Sequence, residues 1–472
     1  MNILIVSTNR ERSPFPVAPL GALCVCSAAE RAGHQVDFLD MMFARDPVSS
    51  LTSALKSHDY QAIGFSIRNL DDCISSTRKS YFADVSEMVE CVLKQTDAPV
   101  ILGGSGFSIS PDGWLKRLNV HYGVVGDGEI AIVGLLNAIA SNESPTGIAG
   151  ILTNNGNHND IGRKITPSSV TDLNGIYSPS HDKCSYKQYL RRGGFVSVQT
   201  KRGCPFKCIY CVYPLLEGTE YHLRSPENIA NEIEALAREK SAASFYFTDS
   251  VFNTPREHAL SICKELAQRK LSIKWMAYCN PVGFDVALAR AMTAAGCVGV
   301  EFGLDVATGK MLKKMGKPFT QSDIRNSLKS ASDAGLPFAL HLLFGGPGEC
   351  IDDIRETQRF IDSCAAPNAV FALMGIRIYE NTPIEKTALA EGVITEQTDL
   401  FNPVFYISTE LGMSPMKALD EIARERPTWS TPTDWSRMTM RVIQKFINRM
   451  GVHPQWRNIQ NYGKYLRKRG RP

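Results

Sequence analysis

Two long stretches of this 472-residue chain alternate short apolar, β-like runs with helical ones, and that alternation limits the fold more than any single motif. Over residues 1–140 the runs "NILIVS", "QVDFLD", "AIGFSI" and "PVILGG" are separated by helical text such as "APLGALCVCSAAERAG" and "ADVSEMVECVLKQ". Strand, helix and strand in that order require crossovers, which place the strands parallel and the helices on both faces. The expected class is α/β, beginning with a doubly wound, Rossmann-like domain that binds ligands at the carboxyl ends of its strands. Over residues 193–390 the alternation resumes with "FVSVQT", "SFYFT", "IKWMA", "VGVEFGL", "FALHLLF" and "VFALMGI". These βα units predict a partial (βα)6 barrel with its chemistry at the carboxyl-end mouth. One of its helices has a clear start, with Ser225 as N-cap and Pro226 as first helical residue.

Residues 141–192, rich in Asn, Gly, Ser and Pro, read as a linker with one small hairpin. Residues 391–472 are aromatic and Pro-punctuated and read as a capping region with a helix near 434–450. Phe405, Tyr406, Trp429, Trp435 and Trp456 suit either a core or a wall closing over an apolar or planar substrate.

Charge and composition narrow the function. With 52 basic against 48 acidic residues, the chain needs no nucleic-acid partner, and the basic tail "KYLRKRGRP" reads as a solvated end. No apolar run approaches the ~18 residues of a membrane span, and "MNILIVSTN" lacks the features of a signal peptide. A cytoplasmic protein is expected. The 13 cysteines, an odd number set mostly in apolar text, fit a reducing compartment.

Three of those cysteines form a group of their own. In "RGCPFKCIYC", Cys204, Cys208 and Cys211 follow the first barrel strand on a turn marked by Gly203, Pro205 and Lys207. Three thiolates can each take one iron of a 4Fe-4S cube and leave the fourth iron open to a small molecule. Zinc is the rival, with Cys184 or His222 as a fourth ligand, although the three-residue first gap departs from paired CxxC units.

CxxxCxxC with Tyr210 just before the third cysteine, after the first strand of a βα barrel, resembles the radical S-adenosylmethionine (SAM) enzymes over about residues 190–385. "FYFTDSVFN", with Asp249, is similar to the second-strand element of that superfamily. "GVEFGLD", with Glu301, is similar to the fourth, and "FGGPGE", with Gly345 and Gly346, to the fifth. "IRIYENTPI", with Tyr379, resembles the sixth, although Glu380 and Asn381 stand where Pro and Gly are usual. The resemblance implies that SAM chelates the open iron, contacts Tyr210, Asp249, Glu301, Gly345, Gly346 and Tyr379, and is cleaved to a 5′-deoxyadenosyl radical.

A doubly wound domain ahead of such a barrel resembles the cobalamin-binding subgroup. The implied cobalamin contacts are Pro19, Leu20 and Gly21 of "APLG", and Ser66, Arg68 and Asn69 of "SIRNLDD". To these add Gly103, Gly104, Ser105 and Gly106 of "LGGSGFSISP", and Gly126, Gly128 and Glu129 of "GDGE". Glycines at strand ends let the backbone approach a large ligand. No Asp-x-His-x-x-Gly text supplies a lower cobalt ligand, and Arg68 either lines the lower corrin face or pairs with Asp71 or Asp72.

The implied activity is methyl transfer from SAM through methylcobalamin to an unactivated carbon of a small-molecule, natural-product or lipid intermediate. A flavodoxin- or ferredoxin-type donor would supply electrons. Rearrangement, cyclisation and polar methyl transfer use the same architecture, and a non-catalytic iron-sulfur or cobalamin sensor is the alternative from another class. No catalytic base is identifiable.

Overall fold

The computed structural model describes residues 1–155, 158–159, 166–240, 242–436 and 454–458. The helix expected near 434–450, the side chain of Trp435 and the basic tail lie largely or wholly outside these residues.

The first domain is built on strands β1 (Asn2–Ser7), β2 (Gln35–Asp40), β3 (Ala62–Ser66), β4 (Val100–Gly103) and β5 (Tyr122–Val124), all parallel in the order β2-β1-β3-β4-β5. Their residues are mostly buried, as a parallel sheet covered on both faces demands. The stretch expected as a linker also contributes to this sheet: β6 (Ile151–Asn155) pairs antiparallel with β5, and β7 (His158–Asn159) turns back on β6. Pairing satisfies what would otherwise be the bare edge of β5, a tertiary cause that "ILTNN" does not announce.

The second domain carries β8 (Val196–Val198), with the short β9 (Lys201–Arg202) and β10 (His222–Leu223) pairing beyond it. Then come β11 (Ser244–Phe247), β12 (Lys274–Cys279), β13 (Cys297–Asp305), β14 (Phe338–Phe344) and β15 (Ala369–Met374). Beyond them β16 (Ile376–Arg377) pairs antiparallel with β17 (Phe405–Tyr406), and β18 (Trp429–Ser430) joins the main sheet. The order β8-β11-β12-β13-β14-β15-β18 is parallel throughout and follows the chain, which makes an open barrel. Its last strand comes from the expected capping region. Two residues are too short a run to read as a strand without the β15 edge they cover. The helix Pro226–Glu239 starts as expected, with the Ser225 side chain accepting from the Asn228 N–H.

Side chains alternate along these strands. On β14, for example, Leu340, Leu342 and Phe344 are buried against the outer helices, whereas His341 and Leu343 face the lumen and are half-buried. The floor of the lumen is closed from the carboxyl-terminal side. Trp456 packs with Phe195, Met276, Ala339 and Ala369, and a side chain on Gly299 would fall 2.9 Å from the ring.

Candidate functional site: a cavity between the two domains

The loops at the carboxyl ends of the first sheet and the mouth of the barrel enclose one cavity of about 650 Å³. Pro19, Leu20 and Gly21 line it, as do Ser66, Arg68 and Asn69, Gly103, Gly104 and Ser105, and Gly126, Gly128 and Glu129. Gly104 has φ +94°, and a Cβ there would lie 2.5 Å from the Ile67 carbonyl, so only glycine permits this loop to pass. Gly106 departs from expectation. It sits behind the wall, where a Cβ would meet the Asn69 backbone at 2.7 Å, and it shapes the loop instead of lining the cavity.

Two polar side chains resolve differently. Asp71 is taken by Arg377 at 2.8 Å, and Asp72 accepts from the Ile74 N–H at 3.1 Å and from the Lys79 N–H at 3.3 Å. Among the described residues Arg68 has no acidic partner; it lines the cavity, and desolvation lowers its pKa. The Glu129 carboxylate, although at the wall, is committed to Arg202 through bonds of 2.6 and 3.1 Å. Burial resists its ionisation, but the guanidinium holds its carboxyl below the usual value.

From the barrel, the cysteine loop reaches the same space: Tyr210, Cys211 and Tyr213 are at its wall. Gly203, with φ +92°, starts the loop where a Cβ would collide with the Glu220 carbonyl at 1.8 Å. The loop is pinned by the Cys204 N–H to the Gly218 carbonyl (3.0 Å) and by the Ile209 N–H to the Met315 carbonyl (3.2 Å). Cys204 is buried, and Cys208 and Cys211 are half-buried. Burial pushes the Cys208 thiol up and the Cys211 thiol up to about 12; Cys208 also feels Cys204, and Cys211 feels both other cysteines of the loop. Among the described residues no three His, Cys, Asp or Glu side chains gather as ligands of a single metal ion, the three cysteines of the loop included. Cys184, the zinc candidate, packs in the apolar core with Tyr186 and Tyr189. Three neighbouring thiols on a pinned, partly open loop fit a cluster that bonds to all three.

The remaining barrel residues divide. Tyr210 donates to Asp305 at 2.5 Å, which also accepts from Lys317 at 2.8 Å; this braces the cysteine loop against the end of β13. Tyr379 reaches the cavity, but its hydroxyl meets the Cys73 sulfur at 3.0 Å and its ring joins the first domain's core. Asp249 departs from expectation: it is buried and accepts from the Thr200 N–H (2.7 Å) and Lys201 Nζ (3.0 Å). Glu301 lies down in the lumen, accepting from Trp456 Nε1 (2.8 Å) and bonded to His341 Nε2 (3.2 Å) and the Tyr246 hydroxyl (3.3 Å). The Gly345 and Gly346 N–H groups are both taken by Glu349 Oε2, at 2.5 and 3.0 Å.

Sequence reasoning missed Glu217, which borders the cavity and whose carboxyl burial pushes up to about 7. It also missed Arg202 and Arg377. Arg202 stands at the head of the cysteine motif, but nothing in the text reveals its partners, because these lie in another domain.

A doubly wound domain whose strand-end loops share a cavity with a three-thiol loop on an open βα barrel defines the class of B12-binding radical SAM enzymes. The B12 binding domain family matches residues 7–136, and the Radical SAM superfamily matches residues 198–361. The chain is 26% identical to a tryptophan 2-C-methyltransferase of Streptomyces laurentii, over 72% of this chain and 67% of that one. It is 25% identical to an uncharacterized methyltransferase of Pyrococcus horikoshii, over 77% and 78%. The solved radical SAM methyltransferase TsrM from Kitasatospora setae, with cobalamin and a [4Fe-4S] cluster bound, superposes with a TM-score of 0.86 over 99% of both chains at 23% identity. The chain belongs to the radical SAM enzymes that carry a cobalamin-binding domain. No helix among the described residues is long and apolar enough to cross a membrane.

Proposed function

We propose that the protein is a methyltransferase that moves a methyl group from SAM, by way of cobalamin, to a carbon of a planar small molecule. The observation that carries this reading is the cavity walled by both the cobalamin-type loops and the cysteine loop. Bound there, cobalamin would supply a methyl carrier, and the cluster with SAM a methyl source and a 5′-deoxyadenosyl radical. Cys204, Cys208 and Cys211 would hold the cluster, with Tyr210 and Asp305 bracing their loop. Gly104 and its neighbours would admit the corrin, and Arg68 would face it without competing for the metal. Glu217 can hold or release a proton near neutral pH at the cavity wall. A planar substrate is supported by Tyr246, Tyr278 and Phe371, half-buried on the lumen face, with the His341 ring tilted against the latter two at 5.4 and 5.0 Å. Relatives named as methyltransferases, one of them for carbon 2 of tryptophan, support the same reading. A flavodoxin- or ferredoxin-type donor would deliver the electrons.

The test is anaerobic. The protein is loaded with iron, sulfide and hydroxocobalamin, reduced, and given SAM carrying a ¹³C methyl group. About four irons per chain are expected, absent from a Cys204, Cys208 and Cys211 triple Ala variant. The label should appear on the corrinoid recovered from the protein, with S-adenosylhomocysteine as co-product. A corrinoid that stays unlabelled while SAM is cleaved to 5′-deoxyadenosine would sink the methyltransferase reading and leave a radical enzyme of another kind.

A further inference from the structure

Two arginines cross from the barrel to the first domain, and each ends in a buried ion pair. Arg202 forks onto Glu129 at 2.6 and 3.1 Å and also reaches Asp127 at 2.9 Å. Arg377 bonds Asp71 at 2.8 Å, while its other nitrogens donate to the carbonyls of Ile378 and Leu400. The Arg377 and Asp71 side chains are 4% and 0% exposed, and those of Arg202 and Glu129 are 8% and 3% exposed. By contrast, the interdomain pair Arg117–Asp399 is open to solvent, where an ion pair fixes little.

The two buried pairs stand at different places on both sheets. Asp71 follows β3, and Asp127 and Glu129 follow β5, with β4 between them. Arg202 follows β8 and Arg377 follows β15, with four strands between. Each pair also joins one cavity loop to another. Arg202 stands two residues before Cys204 and grips the acids that flank Gly128, and Arg377 stands two residues before Tyr379 and grips the acid two residues after Asn69.

Buried ion pairs are poor sources of stability, since well-packed apolar side chains often serve as well or better. What an arginine fork adds is direction: it fixes distance and angle, whereas apolar surfaces slide. The fork of Arg202 and the single Nε bond of Arg377, set apart, oppose sliding of one domain over the other.

We propose that Arg202 and Arg377 are positioning residues that set the separation and tilt of cobalamin relative to the iron-sulfur cluster. This rests on the cofactor reading given above. Neither arginine needs to touch the reacting atoms. Each acts through the loop that it holds.

The experiment compares wild type with Arg202→Lys and Arg377→Lys, which keep the charge but lose, at Arg202, the two-point grip on Glu129 and, at Arg377, the carbonyl bonds that hold Nε against Asp71. Each holoprotein is reduced so that cob(II)alamin and the cluster are both paramagnetic, and their spin–spin coupling is recorded by EPR alongside iron and cobalamin content. Wild-type loading with shifted or broadened coupling in both variants is expected. Their methyl transfer should be slowed about 100-fold, the scale of a displacement of roughly 1 Å. Full loading with unchanged coupling would overturn the proposal. So would loss of cobalamin with iron retained, which would assign the arginines to cofactor binding itself. A wild-type protein that takes up no cobalamin would instead remove the underlying cofactor reading, a failure visible before any variant is measured.

Discussion

The loops of the first domain and the strand ends of the barrel are written in the same kind of text, yet they behave differently in the fold. On the first domain nearly every residue singled out reaches the cavity. On the barrel, Tyr210 and Tyr379 do, whereas Asp249, Glu301, Gly345 and Gly346 spend their polar groups on Lys201, Trp456, His341 and Glu349. A glycine at a strand end acts through its backbone, which local sequence already determines. A carboxylate acts through a side chain that any nearby donor can claim. The barrel's acids are bonded internally, and the first domain's glycines line the cavity.

The sharpest way to break this contrast is Asp249→Ala. As a strut, its loss leaves Lys201 buried with no counter-charge and should cost about 3–5 kcal/mol in chemical denaturation. Normal stability with weakened SAM binding would return Asp249 to the cofactor. Glu349→Gln comes next. Burial pushes the Glu349 carboxyl up to about 7, so the folded protein binds a proton that the unfolded chain releases near 4.5. The associated stability is full below pH 4.5 and is lost as pH rises through about 7, a swing of up to about 3 kcal/mol. The Gln variant should lose that part of the decline in melting temperature between pH 5 and 8; an unchanged slope would refute the assignment.

Gly104→Ala tests the other side. A side chain at φ +94° and ψ 171° should cost about 1–3 kcal/mol and abolish cobalamin retention while leaving the iron content intact. Retained cobalamin would show that this loop is not a contact surface. Smallest in stability is Arg68→Gln, expected to shift unfolding by no more than about 0.5 kcal/mol. It should nevertheless alter the visible spectrum of bound cobalamin, and an identical spectrum would remove Arg68 from the corrin face.

The alternating pattern made both domains legible, because a parallel sheet writes its apolar runs into contiguous text. The cysteine loop and the glycine turns were legible for the same reason: spacing and residue type carry their chemistry. What stayed hidden depends on partners distant in sequence. β18 is two residues long and exists because β15 offers an edge, and β6 likewise completes β5. Arg202 and Arg377 look like ordinary basic residues until Glu129 and Asp71 arrive from the other domain. Glu301 kept its place in a recognisable strand, but its environment is set by Trp456, 155 residues further on.

The late arrival of β18 and Trp456 has a consequence for how the protein is made. Six strands can assemble as they leave the ribosome, but the far edge stays bare until Trp429 is synthesised, and the floor stays open until Trp456 follows. At roughly 5–20 residues per second, the nascent chain passes several seconds as an unfinished cup. During that interval the bare edge of β15 is open to pairing with other chains.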